Sequence, residues 1–217
     1  MRIDTRAWWI AGLWALPTVF CVVSAFRFRE FAGCGVLLAL GLGLTTWVTA
    51  GRALTLRSLV GWAAAGGWTP IDPGEREWPW SDLHLKGSSR VRFAFTGTVD
   101  GLPITFGQVQ WKGGAFGNAT LNPDGRGLFV VVRLPLQEPP MAVRLPYVFV
   151  GDSPRLERPL LRQSFLSGEI PPFTVREHEL FTVEPRDSWP DAAAAEQVVR
   201  RALLIVELLD VGPDAPW

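Results

Sequence analysis

Residues 90–111, RVRFAFTGTVDGLPITFGQVQW, decide the fold. Val91, Phe93, Phe95 and Val99 alternate with Arg92, Ala94, Thr96 and Thr98, the period-2 pattern of a strand with one buried face. Asp100-Gly101 follows, a pair suited to the positive φ angles of a two-residue hairpin turn. In the return strand Ile104 and Phe106 share one parity, while Val109 and Trp111 share the other. Gly107 stands at that switch, which predicts a β-bulge there. An antiparallel sheet is therefore expected.

Outward from the hairpin, GLFVVVRLPL at 127–136 is apolar on both faces and reads as a central strand. MAVRLP and YVFV supply a further strand, and PRLERPLLRQSFLSG a short helix. FTVREHELFTVEP reads as two short strands around a polar turn at Glu177-His178. KGGAFGNATLNPDGRG, 112–127, is glycine-rich after a strand. Asn118, Asn122, Pro123 and Asp124-Gly125 keep breaking structure, so it reads as a long mobile hairpin loop and not a phosphate cradle. The last element is an amphipathic helix. Ser188 is the expected cap, with Pro190 in the first turn and Gly212-Pro213 as the stop. Val198, Ala202, Ile205 and Leu209 line its apolar stripe, with Val199, Leu203 and Val206 beside it, while Arg200, Arg201 and Glu207 face away. The fold class is α+β: an N-terminal transmembrane helical hairpin, then an antiparallel sheet packed by a C-terminal amphipathic helix.

The hairpin expectation rests on two uncharged runs, 7–26 and 31–51, separated by RFRE. At ~1.5 Å per residue about 20 residues cross a ~30 Å hydrocarbon core, and only helices satisfy their own backbone there. The short link makes them antiparallel neighbours. Val23-Ser24-Ala25 offers a small-residue cleavage pattern, but the apolar run outlasts a signal peptide's about 7–15 residues and a second run follows at once. Arg2, Arg6, Arg52 and Arg57 flank the ends against Arg27 and Arg29 in the loop, which places both termini and the body in the cytoplasm. Trp8, Trp9 and Trp47 are candidate interfacial anchors. Gly35, Ala39 and Gly43 form a small-residue row suited to close helix packing, on the first helix of the same hairpin, which the chain already supplies, or alternatively on a second copy.

Three regions follow: 1–57 as the hairpin, 58–81 as a juxtamembrane helix and linker, and 82–217 as the cytoplasmic α+β domain. Residues 1–57 hold six arginines against Asp4 and Glu30, a net charge of +4, and the remainder holds fifteen basic against nineteen acidic side chains. A mildly acidic body argues against a nucleic-acid partner. The partners expected are the lipid bilayer and either a cytoplasmic protein or a second copy. Cys21 and Cys34 both fall in the apolar runs, so the body has no cysteine nucleophile, cysteine-ligated zinc or disulfide framework. His84 beside Ser81 and Asp82 lacks triad geometry by local spacing, and Glu177, His178 and Glu179 offer one histidine with no second. No catalytic, cofactor-binding or metal-ligating residue is assigned.

Several of these segments carry a resemblance. Arg92 to Thr96-Gly97, Gly101-Leu102-Pro103, the stretch VVVRLPLQEPPMAVRLP at 130–146, and an apolar helix followed by a terminal Trp217 are similar to a family of uncharacterised actinobacterial membrane proteins. That family has N-terminal spans and a cytoplasmic α+β domain. The resemblance implies the same architecture and brings no activity. The expected function is a membrane-anchored binding or scaffolding domain. The rivals are a tethered enzyme using carboxylates and arginines assembled by the fold, and an envelope-modifying or phage-exclusion factor acting through the hairpin.

Overall fold

The computed structural model describes residues 32–83 and 87–213. The chain divides into two units, Met1–Leu54 and Thr55–Trp217. The boundary falls inside helix α1, Ala32–Ala65, a single helix of 34 residues. The first uncharged run and its anchors Trp8 and Trp9 lie outside the described residues. Residues 32–51 of the second run fall in α1. Among the described residues no helix is long and apolar enough to cross a membrane, so the expected hairpin is not seen here. Gly43 is exposed, and a Cβ there would meet nothing within 4 Å. The backbones of Gly35, Ala39 and Trp47 belong to the same helix.

The second unit is built on one antiparallel sheet of six strands: β1 Thr69–Ile71, β2 Gly87–Val99, β3 Leu102–Gly113, β4 Asp124–Arg144, β5 Val148–Val150 and β6 Phe173–Pro185. The order is β1-β2-β3-β4, with β5 continuing beside the far end of β4 and β6 along its other side. Helix α2 (Gly114–Thr120) joins β3 to β4, α3 (Pro159–Leu166) precedes β6, and α4 (Ala192–Leu209) follows it. The α+β class, the antiparallel sheet and the covering C-terminal helix are as the sequence predicts.

The β2–β3 hairpin turns at Asp100 (φ 50°) and Gly101 (φ 77°), both in the left-handed region that the Asp-Gly pair suits. Its bulge is not at Gly107. The register shifts between Val91 and Phe93, so Arg92 is the extra residue. The shift sends Phe93 to one face and Val91 to the other. Gly107 instead permits a close approach of strands, since a Cβ there would lie 2.2 Å from the Phe93 carbonyl oxygen. The change of parity along β3 reflects two cores, one on each face.

On the first face α4, the last turns of α1 and α3 pack over Ile104, Phe106, Leu128, Val130 and Val132. Residues 58–65 are helical as expected, and Leu59 and Ala63 of α1 are buried in this core with Trp68, so this helix end packs as part of the body. On the second face Trp78 and Trp80 stack 5.3 Å apart over Phe129, with Phe116 of α2 and Trp111 completing the cluster. The proline-rich stretch 69–81 thus supplies an edge strand and the lid of a second core. The expected loop at 112–127 is closed up by the same cluster. Thr120 Oγ1 donates to the Phe116 carbonyl, and Trp111 Nε1 donates to Asn122 O, at 2.7 and 2.9 Å.

Helix α4 starts two to three residues later than its sequence signals suggest. Asp191, not Ser188, is the cap: its Oδ1 accepts from Ala194 N at 2.8 Å. Ser188 Oγ instead accepts from Arg186 Nε. Asp210 (φ 57°) closes the helix ahead of Gly212-Pro213.

Candidate functional site

The β4–β6 ladder runs regularly from Gly127–Pro185 to Arg133–Glu179 and then breaks. Residues 134–137 of β4 oppose only His178, and Pro139-Pro140 oppose only Arg176. Pro135, Pro139 and Pro140 have no N–H to give the ladder, so β4 bulges wherever they fall. Strand β6 runs through the opposite side. The hairpin turn expected at Glu177-His178 is therefore absent: the segment is the middle of one 13-residue strand. Glu177 absorbs the mismatch in the left-handed region, at φ 52°.

The break opens a groove of about 530 Å3 lined by Gln137, Glu138, Pro139, Pro140, Arg176 and Glu177. Glu138 is 8% exposed and is the cross-strand partner of exposed Glu177. Its two oxygens are held by the fork of Arg155, Nε to Oε2 at 3.2 Å and Nη2 to Oε1 at 3.3 Å. Arg155 Nη1 also donates to the carbonyls of Leu209 and Asp210 at the end of α4, and Arg158 Nη2 reaches Asp210 Oδ2 at 3.1 Å. Cations here meet the carbonyl end of the helix dipole. With both oxygens engaged by a guanidinium, Glu138 is an acceptor in a fixed frame and not a free base. Arg176 and exposed Glu177 of β6 form the facing wall.

A bulky residue in the left-handed region carries a cost that glycine escapes. Glu177→Gly should therefore raise stability by up to about 1 kcal/mol. Urea unfolding of wild type and variant checks it; a lower midpoint would show that the Glu177 side chain makes a stabilising contact.

A second groove, of about 540 Å3, lies between α4 and the turn after α3, lined by Gly168, Glu169, Ala193, Glu196, Gln197, Arg200, Arg201 and Leu204. Arg201 does not face freely into water as the stripe pattern suggests. It donates from Nε to Glu169 O at 2.8 Å, from Nη2 to Gly168 O at 2.7 Å, and from Nη1 to Glu184 Oε2 at 2.6 Å. The other oxygen of Glu184, Oε1, is buried with no hydrogen-bond partner. Burial pushes the Glu184 carboxyl above its ordinary value, outweighing the opposing pull of Arg201 and Arg186. A raised folded value means that this group's contribution to stability is full below about 4.5 and is lost as pH rises through the folded value. Glu184→Gln keeps an acceptor for Arg201 and removes the buried charge. Its Tm should equal or exceed wild type at pH 7 and show no gain at pH 4. A variant that loses stability only at pH 7 would show the ion pair winning over desolvation.

Arg76, in the segment before Trp78, fastens the second face. Nη1 donates to Thr105 Oγ1 at 2.6 Å, Nη2 reaches Glu179 Oε1 at 3.3 Å, and the guanidinium lies 5.2 Å from the Trp78 ring centroid. Glu179 is thereby engaged in structure. His178 is exposed, and His84 lies outside the described residues. Ser81 Oγ accepts from Trp78 N at 3.3 Å, a turn contact. Among the described residues no group of three or more His, Cys, Asp or Glu side chains could hold a metal ion.

Sequence reasoning missed the β4–β6 groove because its two walls are about 40 residues apart in the chain, beyond the reach of any local pattern. The signal that could have found it is the spacing of Pro135, Pro139 and Pro140 in an otherwise strand-like run. The chain matches no family model, no curated protein and no solved structure, so the groove stands on its own geometry.

Proposed function

We propose that this chain is a membrane-anchored protein whose cytoplasmic α+β domain binds a partner at the β4–β6 groove without catalysing a reaction. The anchor is the pair of uncharged runs 7–26 and 31–51, with both termini in the cytoplasm by the arginine count. The architecture is that of the actinobacterial family it resembles.

The observation that carries the binding half is the groove itself. A non-glycine residue is held left-handed and a buried carboxylate, Glu138, is paired behind it with the half-buried guanidinium of Arg155, where an unbroken ladder would avoid both costs. Such strain collects at functional surfaces. Crosslinking in cells and pull-down of the tagged full chain from membranes tests it. Glu177→Gln should lose a partner that wild type captures while leaving the melting temperature in place. An unchanged capture profile would remove the groove from the reading. Alkaline carbonate extraction tests the anchor: the protein should stay in the pellet, and release would refute it. Phosphatase fusions should be silent at Trp217 and active in the RFRE loop; the reverse pattern moves the body outside.

The tethered enzyme is the second reading. Glu184 favours it, as a buried carboxyl pushed up beside a groove. The pH series on Glu184→Gln bears on that reading, since a structural carboxylate and a catalytic one differ in what their loss does to stability.

A further inference from the structure

One row of cross-strand positions gathers cations at the end of the sheet away from the Asp100-Gly101 turn. Arg90 of β2 is opposite Gln110 of β3, and Gln110 is opposite Arg126 of β4. Just past the end of β6, the Arg186 N–H donates to the Arg126 carbonyl at 2.9 Å. Cross-strand partners point to the same face of a sheet. Val91 and Val109 turn toward the second core, so Arg90 and Gln110 turn to the opposite face. Arg92, the bulged residue, reaches back from Nη2 to Gln110 Oε1 at 3.1 Å. Lys112 lies two residues along β3 from Gln110, on the same face. Arg90, Arg92, Gln110, Lys112 and Arg126 are all exposed.

These cations stand apart from carboxylates. Elsewhere in the body Arg76, Arg155, Arg158, Arg200 and Arg201 each pair with one. Among the described residues none of Arg90, Arg92, Lys112, Arg126 and Arg186 does so. Arg126 Nη2 donates to the Asp187 carbonyl and Arg186 Nε to Ser188 Oγ, both neutral acceptors. The adjoining carboxylates are Asp124, opposite Lys112, and Asp187. The remainder of residues 55–217 holds eleven basic against seventeen acidic side chains. Like charges opposite each other, as at Arg126 and Arg186, destabilise a ladder, and an anion lying over them offsets that cost. Gln110 Oε1 is engaged by Arg92, which leaves its amide N–H groups for a ligand. The row therefore offers donors and positive charge to whatever lies on it.

We propose that this end of β2, β3 and β4 docks on the phosphate headgroups of an anionic lipid leaflet. Guanidinium groups meet phosphate oxygens in pairs of parallel hydrogen bonds, and a leaflet presents such oxygens side by side. A nucleic-acid strand fits less well. Trp111 and Phe93, the nearest rings of these strands, pack on the two cores and leave no stacking platform for bases. The acidic remainder of the body also repels a long polyanion that runs on past the row. The inference rests on the anchored reading above, which keeps the chain at a leaflet.

The test uses the full chain with Cys21→Ser and Cys34→Ser, carrying one fluorophore at Ser88→Cys beside the row or, as control, at Thr98→Cys. The control lies ten residues along the same strand, ~30 Å away. The chain is placed in phosphatidylcholine vesicles with or without an equal part of phosphatidylglycerol, and energy transfer to a headgroup-labelled lipid is read. Transfer from 88 should rise when phosphatidylglycerol is present, and transfer from 98 should not. The rise should vanish in about 1 M salt, where the Debye length is ~3 Å. Arg90→Gln with Arg126→Gln should lower the docked-to-undocked ratio about 25-fold, the equivalent of ~1 kcal/mol per basic residue at an anionic surface. Near-ultraviolet circular dichroism of that variant should match wild type. No dependence on phosphatidylglycerol overturns the proposal, as does an equal rise at both labels or a rise that the double variant retains. A rise that follows protein density in phosphatidylcholine alone assigns the row to a second copy and overturns it too. So does a single-stranded oligonucleotide that wild type binds in phosphatidylcholine vesicles and the double variant does not. Resistance to carbonate extraction without the phosphatidylglycerol effect removes the docking face and keeps the anchor. Extraction of a chain that shows the effect beforehand removes the anchor and keeps the docking face.

Discussion

A chain that begins at residue 69 should fail to melt cooperatively, while one that begins at residue 55 should melt as a folded domain. The shorter chain keeps every strand, including β1, and all the residues of β2 to α4. It loses Leu59, Ala63 and Trp68, each less than a tenth exposed. Trp68 stands edge-on to Phe106 at 4.9 Å and stacks on Trp62 at 5.9 Å, and Trp62 meets Phe106 at 5.5 Å. Removing all of them bares Phe106, which is otherwise fully buried at the centre of the first core. Truncating one buried leucine costs about 2–5 kcal/mol and one tryptophan about 3–5. The combined loss is on the order of 10 kcal/mol, and a domain's whole stability is about 5–15. Near-ultraviolet circular dichroism through a thermal ramp reads the result directly, because the tryptophan cluster is the chromophore. A cooperative transition in the chain from 69, within a few degrees of the longer one, would show that α1 is an accessory to the body and not part of its core.

Ile205→Asp should unfold the body outright. Ile205 is fully buried between Ala202 and Leu209 on the face of α4 that covers the sheet, in a cluster of apolar side chains that offers a carboxylate no counter-charge. A buried unpaired charge is among the most damaging single changes, on the order of 4–5 kcal/mol or more. Leu203→Asp should be milder, because Leu203 is only partly buried at the margin of the stripe. The two arginines on α4 separate for a similar reason. Arg200 pairs with Glu196 one turn back in open solvent, so Arg200→Ala should change stability by no more than about 0.5 kcal/mol. Arg201 ties α4 to Gly168, Glu169 and Glu184, so Arg201→Ala removes three hydrogen bonds and strips the buried Glu184 carboxylate of its guanidinium partner. The expected order of urea midpoints is Arg200→Ala highest, then Arg201→Ala, with Ile205→Asp showing no folded baseline. A folded Ile205→Asp variant would mean that α4 can lift from the sheet without loss of the rest, and would turn the helix into a docking element.

The charges and prolines around the β4–β6 groove show how far local sequence goes. QEPP and REHE each read plainly as polar and irregular. That they oppose each other across one ladder, with Glu138 level with Glu177, is a matter of register between distant strands. REHE taken alone has the composition of a turn. It becomes mid-strand because β4 remains alongside it on both sides of the break, and the ladder outweighs the weak local preference of four polar residues. Arg155 likewise has no local signal. Its role comes from meeting Glu138 and the end of α4, 54 and 55 residues away at the Leu209 and Asp210 carbonyls.

What the amino-acid sequence by itself determined is what short-range physics controls. The Asp100-Gly101 turn needs only two residues that tolerate positive φ, and both adopt it. The central strand β4 needs only a run apolar on both parities, and the length and stripe of α4 need only the helical period. Gly66-Gly67 ends α1 where a left-handed residue is wanted, with Trp68 N reaching back to Ala63 O at 2.9 Å. Only the tertiary structure decided where the second core lies. The tryptophans of 78–80 and the glycine-rich stretch 114–120 have no periodicity of their own, and they become a lid and a helix because Phe129, Val131 and Trp111 offer an apolar face that must be covered. The same face decides the bulge at Arg92, since Val91 has to reach the second core while Phe93 reaches the first. Burial on both sides of one sheet is a property of the assembled strands, and no window of neighbouring residues contains it.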